Sequence, residues 1–302
     1  MQKLWQDKQW LEATYQVEGS SSIAAKFDVD DSTIIYWLKK FQIPVRTRKE
    51  SLAIKFKNRR NFNRIFFRDI DSPEKAYWLG YLMADGTMRE YRPNCYQTCL
   101  ELGIKDKLAV EQFAQDIAIK IKIQYTTNKV RLIITDTEFA SYLLQLGMCP
   151  RKTGKESFPE IPQQFNRDFI RGYFDGDGCI RYRQDDRIRA KFHLVCANVQ
   201  LLQKIKKILE EDAEVKFPPK ALHKKYTKDT KVWELETSNL PNIAKIYDYL
   251  YPATRCLERK QKIFEELIQY YIHSKRLIKR YSPNICRKTE TLEEIPKTSN
   301  DD

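Results

Sequence analysis

The sequence predicts an α+β protein: a pseudo-twofold duplicated αββαββα domain with two antiparallel sheets, preceded by a small all-α helix-turn-helix module. Three observations predict it. Two apolar stretches, Trp78-Leu-Gly-Tyr-Leu-Met-Ala-Asp-Gly86 and Ile170-Arg-Gly-Tyr-Phe-Asp-Gly-Asp-Gly178, agree at Gly-Tyr and at a closing Asp-Gly, and their last acids, 85 and 177, lie 92 residues apart. After each stretch the same order of alternating and helical patterns recurs. Residues 1–45, by contrast, carry helical patterns alone.

Within residues 1–45 a break falls at Glu18-Gly19. Ser20-Ser21-Ser22 offers an N-cap for a short helix through Ile23, Ala24, Ala25 and Phe27. Asp28-Val29-Asp30 makes a tight turn, and Asp31-Ser32 caps a second helix with Ile34, Trp37, Leu38 and Phe41 on its apolar side. The order of small, apolar and aromatic residues resembles a helix-turn-helix. It departs at Asp28, where that motif usually has glycine, because aspartate tolerates left-handed geometry less well. Ser32, Thr33, Tyr36, Lys39 and Lys40 would then face a DNA major groove; an ordinary helical hairpin is the alternative. Pro44 ends the module. Residues 46–72 form a basic linker: Arg46 to Arg68 hold nine basic residues, Arg59 and Arg60 among them, against one acid, Glu50. Such asymmetry suits phosphate contacts that carry affinity without sequence information. Residues 52–57 and 61–67 are open to helix.

The first half spans 73–164. Asp71-Ser72-Pro73 starts a helix that runs to Asp85. A hairpin turning at Pro93-Asn94 follows, with Leu100, Leu102 and Ile104 on one face and Gln97, Cys99 and Glu101 on the other. Next come an amphipathic helix over 107–117, a strand over 129–135, a helix through Phe139 and Leu146, and the basic loop Arg151-Lys152-Thr153-Gly154-Lys155. The second half, 165–280, repeats the order. Strands 179–183 and 187–195 turn at Gln184-Asp185-Asp186, then follow a helix 199–210, strands near 214–217 and 231–237, a helix 242–250 and a final helix from Leu257-Glu258-Arg259-Lys260 to about residue 278. Arg151-Lys152 and Arg259-Lys260 occupy matching places. The tail, 281–302, is polar and reads as disordered.

Composition narrows the function. With 54 Lys and Arg against 41 Asp and Glu the net charge is +13, which favours a polyanionic partner. No apolar stretch nears the roughly 20 residues of a membrane span, so no membrane partner is expected. Seven cysteines without a secretory signal read as reduced thiols, predicting an intracellular protein. Cys95 and Cys99 lack a second Cys/His pair nearby, and ordinary packing is favoured over zinc there.

Each Asp-Gly stretch, as a helix, places small residues four apart: Gly80 and Ala84, then Gly172 and Gly176. Glycine costs about 0.5–1 kcal/mol in a helix interior, so close backbone approach between the two helices is expected. Gly86 and Gly178 fit the left-handed residue that ends a helix. Asp85 and Asp177 then sit at helix C-termini, where the dipole disfavours them and they repel each other. A divalent cation with oxygen ligands would reverse both penalties. On the second hairpin, Arg187, Arg189, Lys191 and His193 alternate with Ile188, Ala190, Phe192 and Leu194, and Arg181 and Arg183 have the parity to join the charged face. A sheet in a DNA major groove uses such a face; a solvated surface is the bland alternative.

These paired stretches resemble the two signature motifs of single-chain LAGLIDADG homing endonucleases, over roughly residues 73–280. The resemblance implies motif helices packed at the interface of the two halves, and two sheets over a long DNA site. It implies Asp85 and Asp177 as metal ligands for Mg²⁺ or Mn²⁺, and Lys152 and Lys260 as the basic residues of the site, Lys155 rivalling Lys152. Motif one departs with Trp78 and Met83; motif two keeps an earlier acid, Asp175, but has Gly176 for alanine. The implied function is a monomeric, site-specific enzyme of intron homing that makes a double-strand break in duplex DNA. The alternatives are a maturase that binds its own intron RNA and a non-cleaving DNA-binding regulator. Compartment is open between cytoplasm or nucleoid and an organelle.

Overall fold

The computed structural model describes residues 3–51, 62–118, 123–184, 188–226, 231–252 and 255–273. Arg59, Arg60, Arg187, residues 52–57, Asp185-Asp186, the final helix beyond 273 and the tail lie outside the described residues. The chain divides into two compact units, Met1–Asn63 with Ile117–Lys122, and Arg64–Asp116 with Ile123–Asp302.

The first unit holds α1 (Lys8–Val17), α2 (Ser20–Lys26) and α3 (Asp31–Lys40). Leu11, Tyr15, Ile23, Ala24, Ile34, Leu38 and Ile43 form its core, with Trp10, Phe27, Val29, Trp37 and Phe41 packed against it. Both caps differ by one residue from expectation. Gly19, with no side-chain bond, is the N-cap of α2, so the serines lie in the first turn. Asp30 caps α3 by accepting from the Ser32 N–H, which places Asp31 in the helix. Asp28 does adopt the left-handed conformation, φ 53°, at the turn position where glycine is usual.

The second unit contains the duplication. Helix α4 (Pro73–Asp85), β1 (Gly86–Arg92), β2 (Cys95–Gly103), α5 (Lys107–Asp116), β3 (Gln124–Tyr125), β4 (Lys129–Thr135) and α6 (Thr137–Gln145) make one half. Helix α7 (Asn166–Asp177), β5 (Gly178–Gln184), β6 (Ile188–Cys196), α8 (Val199–Asp212), β7 (Leu222–Tyr226), β8 (Lys231–Thr237) and α9 (Leu240–Leu250) make the other, followed by α10 (Glu258–His273). The two sheets are antiparallel with identical topology, β1-β2-β4-β3 and β5-β6-β8-β7. One face of each is apolar: Leu100, Leu102, Val130, Leu132 and Ile134 in the first, Ile180, Ala190, Phe192, Leu194 and Leu235 in the second, all buried.

Three expectations are corrected, and one stretch left open is decided. Ile104 leaves the strand for a 3₁₀ turn and is 36% exposed, because Gly103 ends the ladder at Lys129. The strand expected near 214–217 lies instead at Leu222–Tyr226, with Val215 buried in the connection that precedes it. Residues 64–68 form turns rather than helix. There Phe66 and Phe67 are buried, and Arg64 reaches Asp136, the N-cap of α6, at 2.9 Å. Finally, Gly86 and Gly178 are extended, with φ of −70° and −82°, rather than left-handed. Each helix runs straight into a strand, and a side chain there would collide with the helix just left. A Cβ at Gly86 would lie 2.5 Å from the Leu82 carbonyl oxygen, and one at Gly178 would lie 2.1 Å from the Phe174 ring. No helix among the described residues is long and apolar enough to cross a membrane.

Candidate active site

Helices α4 and α7 pack through their glycines in a reciprocal way. A Cβ on Gly80 would stand 2.1 Å from the Phe169 carbonyl oxygen and 2.8 Å from the Tyr173 nitrogen; one on Gly172 would stand 1.9 Å from the Tyr77 carbonyl oxygen and 2.9 Å from the Tyr81 nitrogen. The helices therefore touch backbone to backbone, which only glycine permits. Further along the seam Gly176 meets Ala84, and the same missing Cβ would lie 3.4 Å from Asp85 Oδ2. The contact brings the two C-terminal ends, and with them Asp85 and Asp177, to one place.

Two lysines close those ends. Lys152 Nζ donates to the carbonyls of Leu82 (3.1 Å), Met83 and Ala84 (2.5 Å). Lys260 Nζ donates to Phe174 (2.7 Å), Asp175 (2.8 Å), Gly176 (3.3 Å) and Gly178 (2.6 Å). Each ammonium thus satisfies carbonyls that a helix terminus leaves open and offsets the negative end of the dipole. Burial pulls the Lys260 ammonium down to about 8, against the charge of Asp175, and lowers Lys152 against the charge of Asp177. Burial raises the carboxyl of Asp85, with Lys260 the leading opposing charge. Burial pushes Asp177 up to about 6; the Asp85 charge adds to this, and Lys152 leads the opposition. Each lysine therefore caps one helix and is the leading counter-charge to the terminal acid of the other, while Lys260 also faces Asp175 on the helix it caps. Lys155, on the same loop as Lys152, is exposed.

Asp175 has a different task. It is 1% exposed and accepts from Tyr77 Oη (3.0 Å), Tyr251 Oη (2.7 Å) and the Leu257 N–H (2.7 Å), tying α4, α9 and the start of α10 together. Two further ties join the halves: Arg259 grips Asp106 at 2.8 and 3.1 Å, and Arg255 grips Asp116 at 2.9 and 2.8 Å. Sequence reading singled out none of these pairs, because partners 139 and 153 residues apart leave no local pattern.

Residues 164–251 match the family described as LAGLIDADG-like domain. The second half is thus similar to that family over these residues. A curated relative, an uncharacterized protein of Methanocaldococcus jannaschii, is 24% identical over 169 residues, covering 55% of each chain. The chain thus spans about half the length of the curated relative it matches. Among solved structures it resembles the LAGLIDADG meganuclease I-AabMI bound to uncleaved DNA, at 12% identity and TM-score 0.47, covering 74% of this chain and 99% of that one. It also resembles the LAGLIDADG homing endonuclease I-GzeII in complex with its DNA target, at 12% identity and TM-score 0.47, covering 76% and 99%.

Outside the two glycine-packed helices, the remaining candidates fall on three surfaces. On the open face of the first sheet, Gln97 Nε2 donates to Thr135 Oγ1 at 3.0 Å, and Glu101 pairs with Lys129 at 2.6 Å. On the second half's sheet, Arg181 stands opposite Lys191 and Arg183 opposite Arg189, with His193 farther along the same face. That face is not wholly basic as expected: β8 adds Glu234 and Glu236, with Glu236 directly opposite His193, and β7 adds His223 and Lys225. The alternation Glu234-Leu235-Glu236 within a predicted strand was the available signal. In the first unit, Ser32, Tyr36, Lys39 and Lys40 are exposed on α3 and Thr33 is half-buried. Lys40 Nζ lies 4.3 Å from the centre of the Trp37 ring.

Proposed function

We propose that this chain is a site-specific, divalent-cation-dependent endonuclease that breaks both strands of a long duplex DNA target. The observation that carries the reading is the meeting of Asp85 and Asp177 at the ends of two helices in glycine-to-backbone contact. Two carboxylates at negative helix ends are unfavourable alone and suited to a hard cation with oxygen ligands. The donor set fits Mg²⁺ or Mn²⁺: two carboxylates, both raised by burial and Asp177 raised further by the charge of Asp85, would be held in their ionised form by a dication between them. Bound there, a divalent cation supplies activation of the attacking water and charge neutralisation at the scissile phosphate.

The chain's own residues do the rest. Lys152 and Lys260 each turn their N–H groups onto main-chain carbonyls, so their part is to fix the acids and hold positive charge behind the phosphate. The residues on the open sheet faces, Gln97 and Glu101 in one half and Arg181, Arg183, Arg189, Lys191 and His193 in the other, meet bases and phosphates. The α3 surface of the first unit adds a separate DNA contact. Because one chain supplies both acids, a monomer completes the centre. Such an enzyme works where its DNA lies, within the cell.

Asp85→Asn and Asp177→Asn test this by keeping shape and removing charge. Each variant is expected to retain DNA binding and to lose at least a hundredfold in double-strand cleavage in Mg²⁺. Unimpaired cleavage by both variants rejects the assignment. Selective binding by the unaltered protein without cleavage in Mg²⁺ or Mn²⁺ would favour a regulator.

A further inference from the structure

The open face of β5-β6-β8-β7 gathers Arg181, Arg183, Arg189, Lys191, His193 and Lys225. Like charges directly across a ladder repel, as Arg181 and Lys191 or Arg183 and Arg189 must. Glu234 stands among them and is only 2% exposed. Its Oε1 lies 2.6 Å from His193 Nδ1 and 3.3 Å from Lys191 Nζ; its Oε2 lies 3.0 Å from Lys225 Nζ and 4.0 Å from His223 Nε2. Glu236 takes Lys191 a second time. Burial works to raise the Glu234 carboxyl, but hydrogen bonds from Lys225 and Lys191 outweigh it and hold the group at about 2, fully ionised near neutral pH.

A metal-ion reading of this cluster does not fit. His223, Glu234 and Glu236 bring ligating atoms within 4.8 Å of one another, yet both carboxylates already hold the chain's own ammonium groups. A dication would have to expel two lysines that hold the site. The first sheet has a looser version of the arrangement: Glu101, 35% exposed, meets Lys129 at 2.6 Å and Arg131 at 3.9 Å. Only the second sheet buries its acid beneath cations from two neighbouring strands.

We propose that Glu234 is a positioning residue for DNA recognition, fixing Lys191, His193 and Lys225 so that the second sheet discriminates bases in its half of the target. This rests on the reading that the open sheet faces meet duplex DNA. Binding must remove the rotamer entropy of a free lysine, and anchoring the side chain beforehand lowers that cost. His193 Nδ1 lies 2.6 Å from the same carboxylate without an aligned hydrogen bond, so Glu234 holds the ring by charge and proximity. A side chain held in place can read base edges, whereas an unanchored cation seeks phosphate whatever the sequence.

The experiment selects binding sites from a randomised duplex library with the full chain, its Glu234→Gln variant and its Glu236→Gln variant, and follows the thermal midpoint of each. Glu234→Gln is expected to reduce base preference about tenfold in one half of the selected site and leave the other half unchanged. Affinity for a random-sequence duplex should hold or rise, because a negative charge is gone. Glu236→Gln, which frees only one contact to Lys191, should relax fewer positions within the same half. Preferences unchanged in both variants overturn the proposal. So does an equal loss in both halves with a fall in random-duplex affinity, which would make Glu234 a purely structural acid. If the unaltered chain selects no sequence at all, the duplex-DNA reading itself falls.

Discussion

At the scale of the residue, aspartates of similar sequence setting do different work. Asp85 and Asp177 hold their carboxylates at the helix ends, whereas Asp175, two positions before Asp177, is sealed between Tyr77, Tyr251 and Leu257. The first motif has Met83 at the corresponding place, so this buried link belongs to one half only. Asp175→Asn is expected to cost about 1–3 kcal/mol: its amide oxygen still accepts from Leu257 N–H and Tyr77 Oη, but its amide nitrogen cannot accept from Tyr251 Oη, whose buried proton loses its partner. Asp175→Met, which copies the first half, leaves the Leu257 N–H unpaired and should cost about 1–3 kcal/mol more. Urea unfolding of the three proteins measures the difference. The sequence marked Asp175 as an acid in the motif, but its role depends on Tyr251 and Leu257, which are distant along the chain.

At the scale of the element, the helix pair α4 and α7 was readable because it follows from spacing. Small residues four apart share one helical face, and a face without Cβ atoms demands a backbone neighbour. The neighbour for Gly172 is the Tyr77 carbonyl, with no room for even a methyl group. Gly172→Ala must push the helices apart and is expected to destabilise by about 1–3 kcal/mol or more, with the thermal midpoint falling by several degrees. Gly103→Ala, where φ is −62° and a Cβ would meet only the Lys105 side chain at 3.9 Å, is the control and should change little. Other elements were harder to place. Leu222–Tyr226 carries His223, Lys224 and Lys225 and shows little apolar alternation, so its strand state depends on pairing with β8. Gly86 and Gly178 looked like left-handed helix ends because local rules favour that reading. The immediate start of β1 and β5 makes them extended instead.

At the scale of the whole molecule, the net charge of +13 is distributed over sites that serve different purposes. The α3 surface of the first unit carries Tyr36, Lys39 and Lys40, and the duplicated unit carries the acids. Replacing Lys39 and Lys40 with glutamine should weaken DNA binding, lower the salt slope of log affinity by about 2, and leave the cleavage rate at saturating enzyme unchanged. Binding isotherms at several salt concentrations, with single-turnover cleavage in parallel, check both parts. A fall in the saturating rate would tie α3 to the chemistry instead.

The sequence by itself determined the duplication, the α+β class, the pairing of Asp85 with Asp177 and the alternation that puts Arg189, Lys191 and His193 on the sheet face away from the core. All of these are encoded by local spacing: two for strands, three to four for helices, and a repeat near 92 residues. Tertiary structure alone decided which charges meet. Arg259 with Asp106, Arg255 with Asp116, Lys152 and Lys260 on the helix carbonyls, and Glu234 beneath its cations all join separate segments. Electrostatic partnership depends on distance in space and on removal from water, and neither has a period along the chain.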